Sequence, residues 1–320
     1  MKLAFAIPGD LETISGGYAY DRRLIAELRA AGWTVDLLGL DARFPFPDEA
    51  ALRDADDALA GLADGDLVLA DGLAFSAMPD VVARHAGRLR LAALVHHPLG
   101  LETGLAPEVA ARLIQTERRA LAHAAAVVVS SPETARVLAA DFAVAPEAIT
   151  VAVPGTEPGP IAPGGNAPPH VVAVGSLIPR KGHDVLIAAL EALADRPWRA
   201  TIVGGDGLDP ACAAALKRQA AASGVGERIV FAGTRQDVRA LLAGADVFAM
   251  ASRYEGYGMA FAEALAQGLP VLACRAGAVP DVVPADAGIL VAPDDVAAFT
   301  EGLRALLDDT AVRPRLAAGA

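Results

Sequence analysis

Apolar residues fall in two alternating patterns along the chain. Short, nearly continuous apolar runs are followed by longer stretches in which apolar positions recur every third or fourth residue. The runs Lys2–Ile7, Trp33–Leu40, Asp66–Ala70, Leu89–Val95, Ala125–Ser130 and Ile149–Val153 read as strands. The stretches Ser15–Ala31, Asp48–Leu62, Ala106–His123 and Pro132–Ala140 read as the helices between them. In the first helix Ala19, Leu24, Leu28 and Ala31 lie on or near one stripe, and Gly32 stops it. Strands that are apolar on both faces, separated by helices, predict a parallel sheet covered on each side.

The pattern breaks at Pro154–Pro169, where six prolines and four glycines leave no periodicity of either kind. Such a stretch predicts a linker. The alternation then restarts. Strands are expected at His170–Val174, Ala200–Val203, Arg228–Ala232, Ala245–Met250, Pro270–Ala273 and Gly288–Val291. Helices are expected at Gly182–Ala194, Pro210–Ser223, Gln236–Ala243, Met259–Gln267 and Asp294–Leu307. The predicted organisation is α/β: a Rossmann-like domain over residues 1–153, a linker over 154–169, and a second Rossmann-like domain over 170–320. Two doubly wound domains on a Pro/Gly hinge predict a ligand cleft between the C-terminal strand edges. No closing element is evident after the last helix.

Composition narrows the classes. A chain of 320 residues that is 54% hydrophobic can bury two cores. Its apolar residues never run uncharged for the roughly 18 positions a membrane helix needs. The N-terminal segment is too short and turns acidic too soon to read as a signal peptide. A net charge of −12 argues against a general nucleic-acid binder. Cys212 and Cys274 stand far apart without metal-ligand spacing, and read as free core thiols of a reducing compartment.

Candidate chemistry collects where strands meet helices. Ser15 is a plausible N-cap, and Gly16 and Gly17 behind it permit close approach of a ligand, although a flexible turn would look the same. His96-His97-Pro98 ends a strand at the ligand edge, where an imidazole can orient a hydroxyl or simply cap the sheet. Zinc is not expected there, for want of further ligands at suitable spacing. Gly175-Ser-Leu-Ile-Pro-Arg180-Lys181-Gly182 places two cations before a helix start, an arrangement suited to a diphosphate. Gly204-Gly-Asp-Gly207 reads about equally as phosphate loop or tight turn. Asp237 and Asp246 look like helix-cap or strand-flanking acids.

The strand–loop–helix corner Ser252–Leu265 carries Glu255 in a Gly-rich loop and Glu263 in the following helix. A pair of acids suits a glycosidase. A diphosphate cradle does not, and hydrogen bonding to sugar hydroxyls fits both features.

This corner resembles the E-x7-E signature of the retaining GT-B glycosyltransferases of family 4. Gly175–Gly182 is similar to that family's phosphate-gripping turn. The blocks Ile202–Gly207, Ala245–Phe248 and Glu263–Val271 also resemble it, as do Gly16-Gly17 and His96. The resemblance implies a GT-B fold and a metal-independent, retaining hexosyltransferase that takes a nucleotide-diphospho-sugar and needs no cofactor. It further implies that Glu263 holds the ribose and Glu255 the donor-sugar hydroxyls. Amides near Gly258 and Met259 would meet the distal phosphate. Lys181 with Arg180 would neutralise the leaving diphosphate, Gly16 and Gly17 would approach it, and His96 would contact the transferred sugar.

There are departures. Ser176 stands where the family often has a basic residue, and Gly277-Ala-Val-Pro-Asp281 replaces its usual Gly-Gly-x-Pro-Glu block. The family's closing C-terminal helix is not evident. The acceptor is left open among glycans, lipids and small molecules. The expected setting is cytoplasmic, with room for peripheral contact at the inner membrane face through Arg112, Arg118 and Arg119. The competing readings are a non-catalytic nucleotide-sugar-binding module and a GT-B-like sugar-nucleotide epimerase. A dinucleotide oxidoreductase comes third, disfavoured by the missing Gly-x-Gly-x-x-Gly fingerprint.

Overall fold

The computed structural model describes residues 1–308 and 311–320. It divides into two compact units, Met1–Pro154 and Gly155–Ala320. In the first unit the order is β1 (Lys2–Pro8), α1 (Gly16–Ala30), β2 (Thr34–Leu40), α2 (Glu49–Ala60) and β3 (Leu67–Asp71). Next come α3 (Gly72–Phe75), α4 (Pro79–His85), β4 (Arg90–Val95), α5 (Pro107–Leu121), β5 (Ala126–Val129), α6 (Pro132–Asp141) and β6 (Ile149–Val151). The six strands pair in the order β2-β1-β3-β4-β5-β6, all parallel. The helices cover both faces because β1 and β4 present buried residues on both.

The second unit runs β7 (His170–Val174), α7 (His183–Ala192), β8 (Arg199–Val203), α8 (Pro210–Ala222), β9 (Ile229–Gly233), α9 (Val238–Ala243) and β10 (Val247–Met250). It continues with α10 (Met259–Leu265), β11 (Val271–Cys274), α11 (Val279–Val282), β12 (Gly288–Val291), α12 (Val296–Asp308) and α13 (Val312–Gly319). Its six parallel strands are ordered β12-β11-β10-β7-β8-β9. Trp198, Phe299, Leu303 and Leu306 anchor the core on one face of this sheet. Phe248 and Phe261 pack edge to face on the other, ring centroids 5.3 Å apart. No helix among the described residues is long and apolar enough to cross a membrane.

The expected elements all form, with ends displaced by a residue or two where caps decide them. Ser15 caps α1 by accepting from the Tyr18 amide, so the helix begins at Gly16. The short helices α3, α4 and α11 lie outside the sequence reading, being too brief for any periodicity. A helix does follow α12: α13, whose Leu316 is buried in the second unit's core. The Pro/Gly stretch forms no helix or strand, yet the second unit holds it. The Asp246 carboxylate accepts from the Asn166 amide, the Asn166 side chain and the His170 amide. Asp246 thus anchors the linker, a larger duty than strand-flanking. Asp237 forms no cap bond and pairs with Arg235 instead. Cys274 is buried and Cys212 only partly so; both are free thiols.

Buried acids mark the first unit. One is Glu117 on α5, fully buried. It accepts from Ser76 Oγ at 2.8 Å and from the Leu99 amide at 2.9 Å. It therefore ties the turn after β4 to the helix layer. Burial pushes its carboxyl up to about 7, against the opposing pull of those two bonds. The others are Asp71, at the end of β3, and Asp21, on α1.

Two predictions follow from this packing. Gly182 has φ +62°, and a Cβ there would lie 1.9 Å from the Ala251 carbonyl oxygen. Gly32, the left-handed residue that ends α1, has φ +84° with nothing within 4 Å. Gly32→Ala should cost about 1 kcal/mol for the backbone conformation alone, and Gly182→Ala about 3 kcal/mol or more, read as urea midpoints. Equal losses at the two sites would refute the packing argument.

A carboxyl raised in the folded state contributes stability that is full below its ordinary value and lost as pH rises through about 7. In Glu117→Gln the amide nitrogen can face Ser76, whose hydroxyl turns to accept, while the amide oxygen keeps the Leu99 bond. The variant's melting temperature should fall less than the parent's between pH 5 and pH 8. Parallel pH profiles would show that Glu117 is ionised without penalty.

Candidate functional site

In the second unit the turn after β7 and the loop after β10 meet directly. Glu255 is 4% exposed, and its carboxylate is held from three sides. Lys181 Nζ donates to Oε1 at 2.7 Å and Ser252 Oγ donates to the same oxygen at 2.7 Å. Arg180 Nη1 lies 3.5 Å from Oε2. Burial alone would raise this carboxyl, but Lys181, Arg180 and Ser252 outweigh it and hold it below its ordinary value. The cluster is therefore ionic: one buried carboxylate against two cations.

Backbone contacts lock the same loops. The Arg253 amide donates to the Arg180 carbonyl at 2.8 Å, and Arg180 Nη1 donates to the Tyr254 carbonyl at 3.2 Å. Arg253 clamps Asp184 with two bonds, of 3.0 and 2.7 Å, and donates to Asp294 at 2.7 Å. The Ala278 amide donates to the Glu255 carbonyl at 2.9 Å. Gly277 lies so close to that carbonyl that a Cβ would come within 2.2 Å of it. Beneath the turn His183 is buried, with Nε2 3.1 Å from the Gly175 carbonyl. Burial lowers its imidazole to about 4, so it stays neutral and donates.

Gly204 is where turn and phosphate loop read alike in sequence. A Cβ there would come within 1.9 Å of the Gly175 carbonyl oxygen, and the Leu177 amide donates to Gly205. Close packing of two loops thus accounts for Gly204, and Asp206 beyond it pairs with Lys217.

The second acid of the corner sits differently. Glu263 is on α10, half-buried, and burial raises its carboxyl. Gly258 precedes α10 with φ +98°, and the helix has no side-chain cap ahead of Met259. Six expected residues, Arg180, Lys181, Glu255, Gly258, Met259 and Glu263, thus share one pair of adjoining loops and the helix that follows. Ser252 belongs with them and carried no sequence signal beyond its place three residues before Glu255.

The other expected residues, Gly16, Gly17 and His96, lie in the first unit, where they too come together. A Cβ on Gly17 would stand 3.4 Å from His96 Cδ2. His96 Nε2 lies 2.9 Å from Asp21 Oδ1 and 3.7 Å from Asp71 Oδ2. The Tyr20 ring packs edge-on against the imidazole at 5.1 Å. Burial alone would lower the His96 imidazole, but the Asp21 bond and the two acid charges raise it overall. Sequence reading passed over Asp21 and Asp71. Asp21 shares the buried stripe of α1 with Tyr20 and Ile25, and Asp71 is an acid ending a buried strand. Either position was a signal.

On α5, Arg118 and Arg119 are exposed but engaged with neighbours. Arg118 donates to the Asp141 carbonyl and stacks over Phe142, and Arg119 pairs with Asp80.

Residues 168–309 match the family model described as "Glycosyl transferases group 1". The D-inositol 3-phosphate glycosyltransferase of Jonesia denitrificans is 32% identical over 243 residues, 69% of this chain and 57% of that protein. The lipopolysaccharide core biosynthesis mannosyltransferase LpsB of Rhizobium meliloti is 34% identical over 145 residues, 43% of this chain and 40% of that protein. The chain spans about half the length of these curated relatives. Among solved structures, sucrose-phosphate synthase from Thermosynechococcus elongatus superposes with a TM-score of 0.80 at 22% identity, covering 98% of this chain and 92% of that one. Anabaena HepE in complex with UDP-glucose gives 0.72 at 19% identity, covering 98% and 92%. The chain therefore has the GT-B fold, and over residues 168–309 it is similar to the group 1 glycosyltransferases.

Proposed function

We propose that this chain is a retaining, metal-independent hexosyltransferase that moves a sugar from a nucleotide-diphospho-sugar to an acceptor hydroxyl. One observation carries the reading. Two cations, on a turn held rigid by packing, converge on the loop of the Glu255–Glu263 corner, and the second acid of that corner stands half-buried on the next helix. Relatives that include a mannosyltransferase and an inositol phosphate glycosyltransferase support it.

In this reading the diphosphate meets Lys181 and Arg180, which neutralise the charge it gains on leaving. The glycosidic bond to the distal phosphate breaks with its electron pair on the phosphate oxygen. The acceptor oxygen bonds to the anomeric carbon on the same face, and its proton passes to the departing phosphate. Glu263 accepts from ribose hydroxyls, and its burial beside few charges suits a neutral, hydroxyl-rich ligand. The amides near Gly258 and Met259 face the distal phosphate. Glu255 is the carboxylate nearest the donor sugar, and it also fixes Lys181 and Arg180. Gly16 and Gly17 approach the diphosphate, and His96 contacts the transferred sugar. The two free thiols fit a reducing, cytoplasmic setting. With Arg118 and Arg119 engaged, membrane contact through α5 falls mainly to Arg112.

Calorimetry against UDP-, GDP- and ADP-sugars, followed by assay of nucleotide release with hydroxyl acceptors, tests the proposal. One nucleotide-sugar should bind and turn over. Binding without transfer to any acceptor would favour a binding module, and no binding at all would sink the reading. Glu263→Ala should weaken donor binding by about tenfold, the value of one hydrogen bond to a charged group. Lys181→Ala should weaken binding and also slow transfer by roughly a hundredfold or more, because it meets charge that grows in the transition state. Unchanged turnover in the Lys181 variant would contradict its role.

A further inference from the structure

The first unit contains two buried acids, set against His96, to which the proposed function gives no role. Asp21 from α1 and Asp71 from the end of β3 are almost wholly buried, and both face Nε2 of His96 at the end of β4. Asp71 Oδ1 accepts from the Leu73 amide at 2.7 Å, so that acid is fixed by the start of α3. Asp21 Oδ2 is buried with no hydrogen-bond partner. A buried carboxylate oxygen without a donor is costly unless a positive charge stands close by. The cation within reach is the imidazolium of His96. Two ionised acids around a neutral ring would place uncompensated charge in the interior; a protonated ring relieves it.

We propose that Asp21 and Asp71 are positioning residues that hold His96 doubly protonated, with Nε2 turned inward to them and Nδ1 left to donate an N–H to an oxygen-rich, negatively charged ligand. The ligand, a hydroxyl or phosphate oxygen of the nucleotide-sugar, rests on the proposed function; the charge state of His96 does not. Gly17 lies along the Cδ2–Nε2 edge of the ring, where a methyl group would just touch it, and the His96 side chain keeps 22% of its surface exposed. The remaining groups near the ring do not supply the proton's stabilisation. Tyr20 presents an uncharged ring and donates to the Ala152 carbonyl. Tyr18 donates to the Pro8 carbonyl, and burial, with Asp71, Asp21 and Asp10, pushes its hydroxyl up to about 12. In the following turn His97 stands 3.9 Å from Glu102. Burial drives Asp71 up to about 7, with Asp21 adding to the rise and His96 opposing it.

The same three side chains offer ligand atoms within 4.8 Å of one another, so a divalent cation in place of the Nε2 proton is the rival occupant. Nitrogen NMR of histidine-labelled full-length protein separates the two without any substrate. In the parent, both ring nitrogens of His96 should still carry protons above the pH at which an ordinary imidazole loses one. In Asp21→Asn the ring should lose its proton at least tenfold more readily, while its amide spectrum stays dispersed. Asp71→Asn should shift the ring in the same direction by less, and serves if the Asp21 variant does not fold. A parent His96 that titrates at its ordinary value and does not respond to either variant would overturn the proposal. So would stoichiometric displacement of the Nε2 proton by added Zn²⁺ or Mn²⁺.

Discussion

A carboxylate buried as deeply as Glu255 must be paired, and the second unit's loops are arranged around that requirement. Lys181 and Ser252 meet one oxygen and Arg180 approaches the other. Those cations lie on a turn whose exit, Gly182, sits against Ala251 too closely for any side chain. Gly277 presses on the Glu255 backbone from the opposite side. Removing either cation would leave a buried charge only partly compensated, a loss that typically exceeds anything a surface ion pair contributes. The loops that would face a diphosphate are therefore held in place by the electrostatics that would serve it.

The first unit solves a similar problem with the opposite sign balance. There the acids outnumber the base, and the cluster relies on His96 holding its proton. Glu117, one layer away, is stabilised by neutral donors alone and so titrates near neutrality. Burial is common to the three acids Glu255, Asp71 and Glu117. Their partners decide whether the carboxyl falls below its ordinary value or rises to about 7.

Much of this was legible in the sequence. Apolar runs separated by periodic stretches gave both sheets, because parallel strands must be apolar on two faces and their crossovers helical. The Glu255 corner and the Arg180-Lys181 turn were visible because charged residues stand out among glycines at strand ends. Pairing across 74 positions was not visible, since Lys181 and Glu255 meet only once the sheet order brings β7 beside β10. Asp21 is harder to read than its place on the helix suggests, because Arg22 and Arg23 follow it as on an exposed face, and Asp71 ends an apolar run where a flanking acid is ordinary. In sequence Asp246 looks like a helix-cap or flanking acid, yet it holds Asn166 in the Pro/Gly stretch. Gly204 read equally as turn or phosphate loop, and only the nearby Gly175 carbonyl settles why it is glycine.

The claim that one ionic contact organises the second unit is best tested by a double-mutant cycle on Lys181 and Glu255. Stability would be followed through the buried Trp198 in a Trp33→Phe background. Lys181→Met and Glu255→Gln should each destabilise, and the pair together should cost less than the sum of the two by about 1–3 kcal/mol. Losses that add within about 0.5 kcal/mol would show that the two residues do not depend on each other, and would contradict the account.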